Sequence, residues 1–219
     1  SSTGLFQVGS SNSFTFGSTV NANGQDLLLA GDVDLDGAVT NAKEFNIGRT
    51  ANIGADVTTT SHQTYTGAVT LSGGDRTFTT GSGKTISFNS GIDAGGNELA
   101  AVGDLQLTGS ITNPGGLDIT GQVTVNSGGT LVGAGTISSL LDLSNGGALK
   151  PGNSIGTLNV GGDMILASNS TTTIEFSPTA NDQILVTGTA NIDGTIVLEP
   201  VSGTYSAFTR QIITGGAMN

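Results

Sequence analysis

The sequence predicts an all-β fold, a right-handed parallel β-helix of about nine coils, and three observations support this interpretation. The composition combines 36 Gly with only 4 Pro and no Trp, which is typical of short strands joined by tight turns. Apolar and polar residues alternate along the chain, and a long segment recurs at a fixed offset. Since 35% of the residues are hydrophobic and 11% are charged, the chain is too apolar to be disordered.

The internal repeat lies in the predicted N-terminal part, residues 1–125. The segment 16–41 aligns without a gap with the segment 88–113, at a constant numbering offset of 88 − 16 = 72, with eleven identical positions that include Asp32/Asp104 and Gly37/Gly109. A unit of this size is too long for one hairpin, but it divides into three coils of about 24 residues. The offset therefore favours a solenoid, and we expect residues 126–219 to continue it.

Alternating segments such as Val33-Asp34-Leu35 and Ile196-Val197-Leu198 predict strands with one inward and one outward face. A coil with one apolar face cannot form a core alone, so it must stack on its neighbours. A β-sandwich array is the alternative, because short alternating strands with Gly-rich turns fit that fold too. The fixed offset favours stacked coils.

The aromatic residues are predicted to be mostly interior, because most lie in alternating apolar patterns. The phenylalanines are Phe6, Phe14, Phe16, Phe45, Phe78, Phe88, Phe176 and Phe208. Tyr65 and Tyr205 are predicted to be surface contacts instead.

The net charge of −11, with only six Lys plus Arg, argues against nucleic-acid partners because no basic surface is available to neutralise phosphates. The absence of cysteine excludes disulfides and thiolate metal sites. No stretch approaches the roughly 18 apolar residues of a membrane span, and residues 1–4 lack the features of a signal peptide. We therefore expect a mature, exported segment.

One acidic motif suggests calcium. Asp32, Asp34 and Asp36, followed by Gly37, resemble the start of an EF-hand loop, in which alternate carboxylates surround the ion. The closing glutamate is missing, since Lys43 occupies its position. An exposed acidic strand and turn is therefore the preferred interpretation, and a Ca²⁺ site at these three residues is the alternative. No other cofactor is predicted.

Two further motifs suggest chemistry and are interpreted as turns. Gly152 to Gly156 matches the G-x-S-x-G nucleophile elbow around Ser154, but the only histidine, His62, lies far upstream and is interpreted as an exposed corner residue. The segment Gly81 to Thr85 ends like a phosphate-binding loop but has Phe78 where the leading glycine belongs. No catalytic residue is predicted, and the chain is expected not to be an enzyme.

The C-terminal part, from Asn126 onward, carries a family resemblance. Gly129 to Ile137 contains Gly-Thr-Leu followed by Gly-Ala-Gly-Thr-Ile, Pro151 to Leu158 reads Pro-Gly-Asn-Ser-Ile-Gly-Thr-Leu, and Asp182 precedes a Gly-Thr-Ala at Gly188 to Ala190. This arrangement resembles the C-terminal passenger region of autotransporters, the type V secretion proteins. Gln63 to Leu71 is similar to repeats in haemagglutinin-like adhesins.

The resemblance implies a surface-displayed or secreted adhesin, or a structural passenger of a Gram-negative bacterium, held outside the outer membrane. It implies anchoring through a C-terminal β-barrel outside this sequence. The expected partners are proteins or glycans of host or bacterial surfaces, or further copies of the chain. Two alternatives stay open: a filament or matrix subunit that assembles by coil stacking, and a β-helical polysaccharide-degrading enzyme with carboxylates joined across coils.

Overall fold

A computed structural model describes residues 5–8 and 13–219, with only the backbone described for 5–8. The described residues form short strands and no helix. In chain order, the strands are β1 Leu5–Val8, β2 Ser13–Phe16, β3 Val20–Asn21, β4 Asp26–Leu29, β5 Asp32–Leu35, β6 Val39–Ala42, β7 Phe45–Ile47, β8 Ala51–Ile53, β9 Val57–Thr59, β10 Gln63–Tyr65, β11 Val69–Leu71, β12 Arg76–Thr79, β13 Thr85–Phe88, β14 Ile92–Asp93, β15 Glu98–Val102, β16 Asp104–Leu107, β17 Ile111–Thr112, β18 Gly116–Ile119, β19 Val123–Val125, β20 Thr130–Val132, β21 Gly135–Ile137, β22 Leu141–Leu143, β23 Ala148–Lys150, β24 Thr157–Val160, β25 Met164–Leu166, β26 Thr171–Phe176, β27 Gln183–Val186, β28 Thr189–Ile192, β29 Thr195–Pro200, β30 Ile213–Thr214 and β31 Ala217–Met218.

The strands form three walls, and the chain visits the walls in rotation. Every third strand, from β1 to β31, belongs to an eleven-stranded sheet, and the strands from β3 to β30 form a ten-stranded sheet in the same way. The third wall consists of a six-stranded sheet, β2 to β17, followed by a four-stranded sheet, β20 to β29. The result is the predicted right-handed parallel β-helix. Its eleven-stranded wall has ten inter-strand steps of about 4.8 Å, which give a length of about 48 Å.

Parallel pairing excludes the sandwich alternative. Every paired strand among the described residues runs parallel to its partner, and the antiparallel contacts are two isolated bridges, Asn126↔Gly146 and Phe176↔Asn181. The eleven-stranded sheet also runs through both predicted segments, 1–125 and 126–219. Parallel neighbours need a crossover connection, and here each crossover is the rest of one coil.

The predicted division of the repeat into three coils of about 24 residues is wrong. Leu27 pairs with Phe45 and Phe45 with Gln63, so partners on these coils stand only eighteen positions apart in sequence. The offset of the repeat therefore carries Leu27 of the eleven-stranded sheet onto Leu99 of the ten-stranded sheet. The two copies of the repeat have the same local structure but lie on different walls.

The core is a single column of inward-facing side chains that includes an aromatic cluster. Phe45, Tyr65, Phe78 and Phe88 are fully buried, and the Tyr65 ring stacks on Phe88 with centroids 4.9 Å apart. The Phe78 ring meets the Tyr65 and Phe88 rings edge-on, at 5.5 and 5.4 Å. Such pairs contribute beyond the area that they bury.

A polar pair lies inside this aromatic layer. Gln63 is fully buried; its Nε2 donates to the carbonyls of Val57 (3.1 Å) and Thr79 (2.8 Å), and its Oε1 accepts from the Tyr65 hydroxyl at 3.0 Å. Burial raises the pKa of Tyr65 well above its ordinary value. The prediction that Tyr65 is a surface residue is therefore wrong. Polar neighbours in sequence suggested a surface position, but the alternation of β10 turns Gln63 and Tyr65 inward together.

The phenylalanine predictions are confirmed in part. Phe45, Phe78 and Phe88 are interior, and Phe14, Phe16 and Phe176 are partly buried. Phe208 is exposed, and so is Tyr205, as predicted for that residue. The side chain of Phe6 lies outside the described residues.

Candidate functional site

The three acidic residues predicted as a calcium site lie at the strand and turn that the sequence indicated. Asp32 and Asp34 project outward from β5, and Asp36 follows the strand in an exposed turn. Oδ1 of Asp32 accepts from the hydroxyl and the backbone N–H of Thr50 at 2.7 and 3.2 Å, and Nε of Arg49 lies 3.6 Å away. The Thr50 hydroxyl is the main cause that holds the pKa of Asp32 below its ordinary value.

Oδ1 of Asp34 has a partner on the next coil as well, because it accepts from Asn52 Nδ2 at 2.8 Å. Asp32 and Asp34 therefore join neighbouring coils through their side chains. In the part of the chain that the structure describes, no group of three or more His, Cys, Asp or Glu residues is placed to hold a metal ion. Calcium binding at Asp32, Asp34 and Asp36 stays a prediction, and the hydrogen bonds favour a role in coil stacking.

Ser154 and His62 lie far apart along the solenoid. Ser154 is exposed in the loop between β23 and β24, at a coil corner as the sequence predicted. His62 immediately precedes β10, and four inter-strand steps of the eleven-stranded sheet, about 19 Å, separate β10 from β22. The prediction that His62 is exposed is wrong: it is half-buried against the next coil, where its Nδ1 accepts from the backbone N–H of Thr85 at 3.1 Å. The structure does not bring the serine and the histidine together.

The segment Gly81 to Thr85 is the predicted turn. The N–H of Lys84 donates to the carbonyl of Gly81 at 3.1 Å, Gly83 has a φ of 65°, and Thr85 begins β13. No helix follows the turn, so the geometry of a phosphate-binding loop is not formed.

A corner near the C-terminal end carries long connecting loops, and we call it the loop corner. It consists of three successive loops, 151–156, 177–182 and 201–212, each of which connects the four-stranded sheet to the ten-stranded sheet. By contrast, the short coil from Leu27 to Phe45 leaves only a few residues for each corner. The third loop has twelve residues, and surface loops of this kind are where binding functions concentrate.

Asp182 joins the first two loops of the loop corner. Its side chain is 1% exposed; Oδ1 accepts from the N–H of Gly156 at 2.8 Å, and Oδ2 accepts from the N–H of Glu175 at 2.7 Å. Burial raises the pKa of Asp182, while the two N–H donors act in the opposite direction. Since both oxygens satisfy backbone donors, the role of this aspartate is to fix the loops against each other.

An apolar cavity of about 360 Å³ opens at the loop corner. It is lined by Ile174, Phe176, Asn181, Leu198, Phe208, Arg210 and Ile212. Sequence reasoning missed this cavity, because residues from three separate segments of the chain form it. The signal that was available is the length of the third loop, together with its aromatic residues Tyr205 and Phe208.

A second, shallower groove of about 390 Å³ lies on the six-stranded sheet. Its polar lining comes from Thr70, Ser90, Asp93, Ser110 and Thr112, which belong to three successive coils. Hydroxyl and carboxylate groups are thus presented along the side of the solenoid, where an extended polar ligand could bind.

Comparisons with known proteins do not assign a family: no family model matches the chain, and no curated protein is significantly similar to it. Among the described residues there is also no helix long and apolar enough to cross a membrane.

Proposed function

We propose that this chain is a rigid stalk or binding scaffold of a surface-displayed or secreted adhesin of a Gram-negative bacterium, of the autotransporter passenger type. The observation that carries the proposal is the wall of eleven strands that passes through the whole described chain. A continuous parallel wall resists bending and holds its side chains in fixed rows, and both properties suit a stalk.

The resemblance of the C-terminal part supports the passenger type. The Pro-Gly-Asn-Ser-Ile-Gly-Thr-Leu segment forms the first loop of the loop corner and the beginning of β24, and Asp182 holds that loop. Two of the features that carry the resemblance, Pro151 to Leu158 and Asp182, therefore build a coil corner, while Gly129 to Ile137 and Gly188 to Ala190 lie mainly on strands β20, β21 and β28. Such residues serve architecture rather than catalysis, in keeping with a protein that is not an enzyme.

The proposed partners are proteins or glycans of host or bacterial surfaces, outside the cell. The groove with Thr70, Asp93 and Thr112 offers hydroxyl and carboxylate groups to a polar ligand. The test is a binding screen of the purified chain against extracellular-matrix proteins and neutral and acidic glycans. We expect saturable binding of at least one probe, weakened by Thr70→Lys and unchanged by Thr136→Lys, at another exposed threonine that lies outside the groove.

The same glycans separate the adhesin from an enzyme. Incubation with each polysaccharide should leave its chain length unchanged, and an Asp32→Asn/Asp34→Asn double variant should behave as the parent does. Release of short products by the parent chain, lost in the double variant, would reject the scaffold proposal. Binding of no probe at all would reject the adhesive part and leave a stalk.

A further inference from the structure

The cavity of the loop corner has an apolar interior and an open rim. Ile174 at its inner end is fully buried, whereas Leu198 and Phe208 at the rim are 57% and 44% exposed. Exposed side chains of this size are unusual in this chain, where the apolar residues of most strands face the core. A contiguous apolar surface with a concave shape is typical of a ligand site.

Polar contacts hold the aromatic wall of this cavity in place. The Tyr205 hydroxyl lies within hydrogen-bond distance of the carbonyls of Val201 (2.5 Å) and Phe176 (3.0 Å). The Asn181 amide donates to the carbonyl of Gln211 at 3.0 Å. The rings of Phe176, Tyr205 and Phe208 contact one another with centroids 5.4 to 6.3 Å apart. Contacts within the chain therefore hold the loop 201–212 beside the cavity, and the cavity is formed without a ligand.

Arg210 places a positive charge on the wall of the cavity. Its Nη1 and Nη2 donate to the carbonyls of Thr179 (2.8 Å) and Pro178 (2.7 Å), and its guanidinium carbon lies 4.9 Å from the centre of the Phe208 ring. Its Nε is buried and has no hydrogen-bond partner. The guanidinium has five N–H donors, of which two go to these carbonyls, so each Nη keeps a second N–H for an acceptor in the cavity that Arg210 lines.

The charge of Arg210 is also uncompensated by a carboxylate. Lys43, Arg49 and Lys150 each lie within 4.0 Å of an acidic side chain. Among the described residues no carboxylate lies within that distance of Arg210, Arg76 or Lys84, and of these three only Arg210 lines the apolar cavity. In a chain with a net charge of −11, an unpaired cation beside an apolar cavity is the one feature there that attracts an anion.

We propose that the loop corner binds a small amphiphile, whose hydrocarbon body fills the cavity and whose carboxylate head accepts a hydrogen bond from Arg210. Water makes few hydrogen bonds in an apolar cavity, whereas a hydrocarbon fills it favourably. The charged head adds a charge-assisted hydrogen bond, which is stronger than a neutral one. This site does not depend on the adhesin proposal, because it lies several coils away from the Thr70 groove.

The test compares two probes of equal chain length, octanoate and octanol, by calorimetry or ligand-observed NMR. We expect octanoate to bind saturably at one site and about tenfold more tightly than octanol, the difference expected of one charge-assisted hydrogen bond. Equal affinity for the two probes would overturn the role of Arg210. Binding of neither would overturn the site.

Two matched pairs of variants locate the binding. Leu198→Trp should fill the cavity and abolish octanoate binding, whereas Leu185→Trp, at a residue that is 38% exposed outside the cavity, should leave it unchanged. Arg210→Gln should remove the preference for the carboxylate, and Arg210→Lys should keep part of it. Thermal unfolding of each variant checks that the loop corner still folds, and loss of binding in Leu185→Trp at an unchanged melting temperature would place the ligand elsewhere.

Discussion

The two copies of the repeat, 16–41 and 88–113, have the same hydrogen bonds at their corners although they lie on different walls. In the first copy, Asn41 Nδ2 donates to Asn21 Oδ1 at 3.1 Å and the N–H of Gly24 donates to the Asn41 carbonyl at 2.6 Å. In the second, Asn113 Nδ2 donates to Asp93 Oδ1 at 3.1 Å, and the N–H of Gly96 donates to the Asn113 carbonyl at 2.7 Å. Asn41 and Asn113 have φ values of 52° and 50°.

This comparison separates two kinds of information in the sequence. The conformation of a corner is determined by a few neighbouring residues and the coil beneath them, so it survives a move to another wall. The wall on which a strand lies depends on how many residues the preceding coils contain. If this is correct, equivalent substitutions in the two copies must have equal effects.

The largest effect is expected where glycine lets two coils touch. A Cβ added at Gly37 would overlap the carbonyl carbon of Ser18, and one at Gly109 would overlap that of Ser90. Gly37→Ala and Gly109→Ala should each lower the free energy of unfolding by about 3 kcal/mol, because backbone cannot move aside as a side chain can. Urea denaturation measures both.

Gly17 provides the control for these two variants. A Cβ there would meet nothing within 4 Å, and the second copy has Asn89 at the equivalent position. Gly17→Ala should therefore stay within about 0.5 kcal/mol of the parent. If only one of the two variants Gly37→Ala and Gly109→Ala lost a large part of its free energy of unfolding, the two corners would not be equivalent.

The next effect is expected at the two asparagines with positive φ. Asn41→Ala and Asn113→Ala should each cost about 2 kcal/mol, since alanine is strained in the left-handed region and the side-chain hydrogen bond is lost. Asn41→Gly and Asn113→Gly should lower the free energy of unfolding by less than the alanine variants do. Glycine adopts a positive φ without strain, so only the side-chain hydrogen bond is lost. Costs that differ between the copies by more than the error of the denaturation curves would contradict a locally encoded corner.

A smaller effect is expected from the pH dependence of the stabilisation that Asp32 provides. The folded-state pKa of Asp32 is lowered, so its contribution is present above its ordinary pKa of 3.8 and is lost as the pH falls through the lower folded value. Asp32→Asn should therefore reduce stability at pH 6 and have less effect near pH 2. Unfolding free energies across this range measure the slope, and a variant whose deficit grew at low pH would have the wrong sign.

The smallest effect is expected when Asp93 of the second copy is replaced by asparagine, the residue at the equivalent position, Asn21, of the first copy. Asn21 Oδ1 and Asp93 Oδ1 accept the same two bonds, from a backbone N–H two residues on and from the asparagine amide of the next coil. Asp93→Asn should therefore change the unfolding free energy by less than about 0.5 kcal/mol. A loss above roughly 1 kcal/mol would indicate that the charge of Asp93 has a partner on its own wall.

The sequence predicted the fold well where a pattern is local. The alternation of Val33, Asp34 and Leu35 predicted β5, and the positions of Gly81 and Ser154 predicted turns. The coil length was predicted wrongly, because an offset of 72 residues can be divided into different numbers of coils. Corners of different length also prevent a constant coil period from appearing in the sequence. Tyr65 was misplaced because its hydroxyl donates to Gln63 inside the core, and the sequence does not show which face of β10 points inward.

The candidate site was less predictable than the fold. The cavity depends on contacts between β26, β29 and the loop 201–212, and on Arg210 reaching carbonyls that belong to the preceding loop of the corner. In the sequence, Arg210 is one of several scattered cations. What distinguishes Arg210 is its position on the wall of the cavity without a carboxylate partner, and the spacing of residues in the sequence does not reveal that position.

The variable length of the coils has a mechanical consequence. Neighbouring coils are joined by backbone ladders of two to six residues, by side-chain hydrogen bonds and by core packing, and a chain pulled at both ends should release one coil at a time. The coil from Leu27 to Phe45 is short and would add about 60 Å of extended chain. The coil from Met164 to Ala190 is longer and would add about 90 Å. Under load, the molecule would thus lengthen in unequal steps, and the length of each step would identify the coil that has opened.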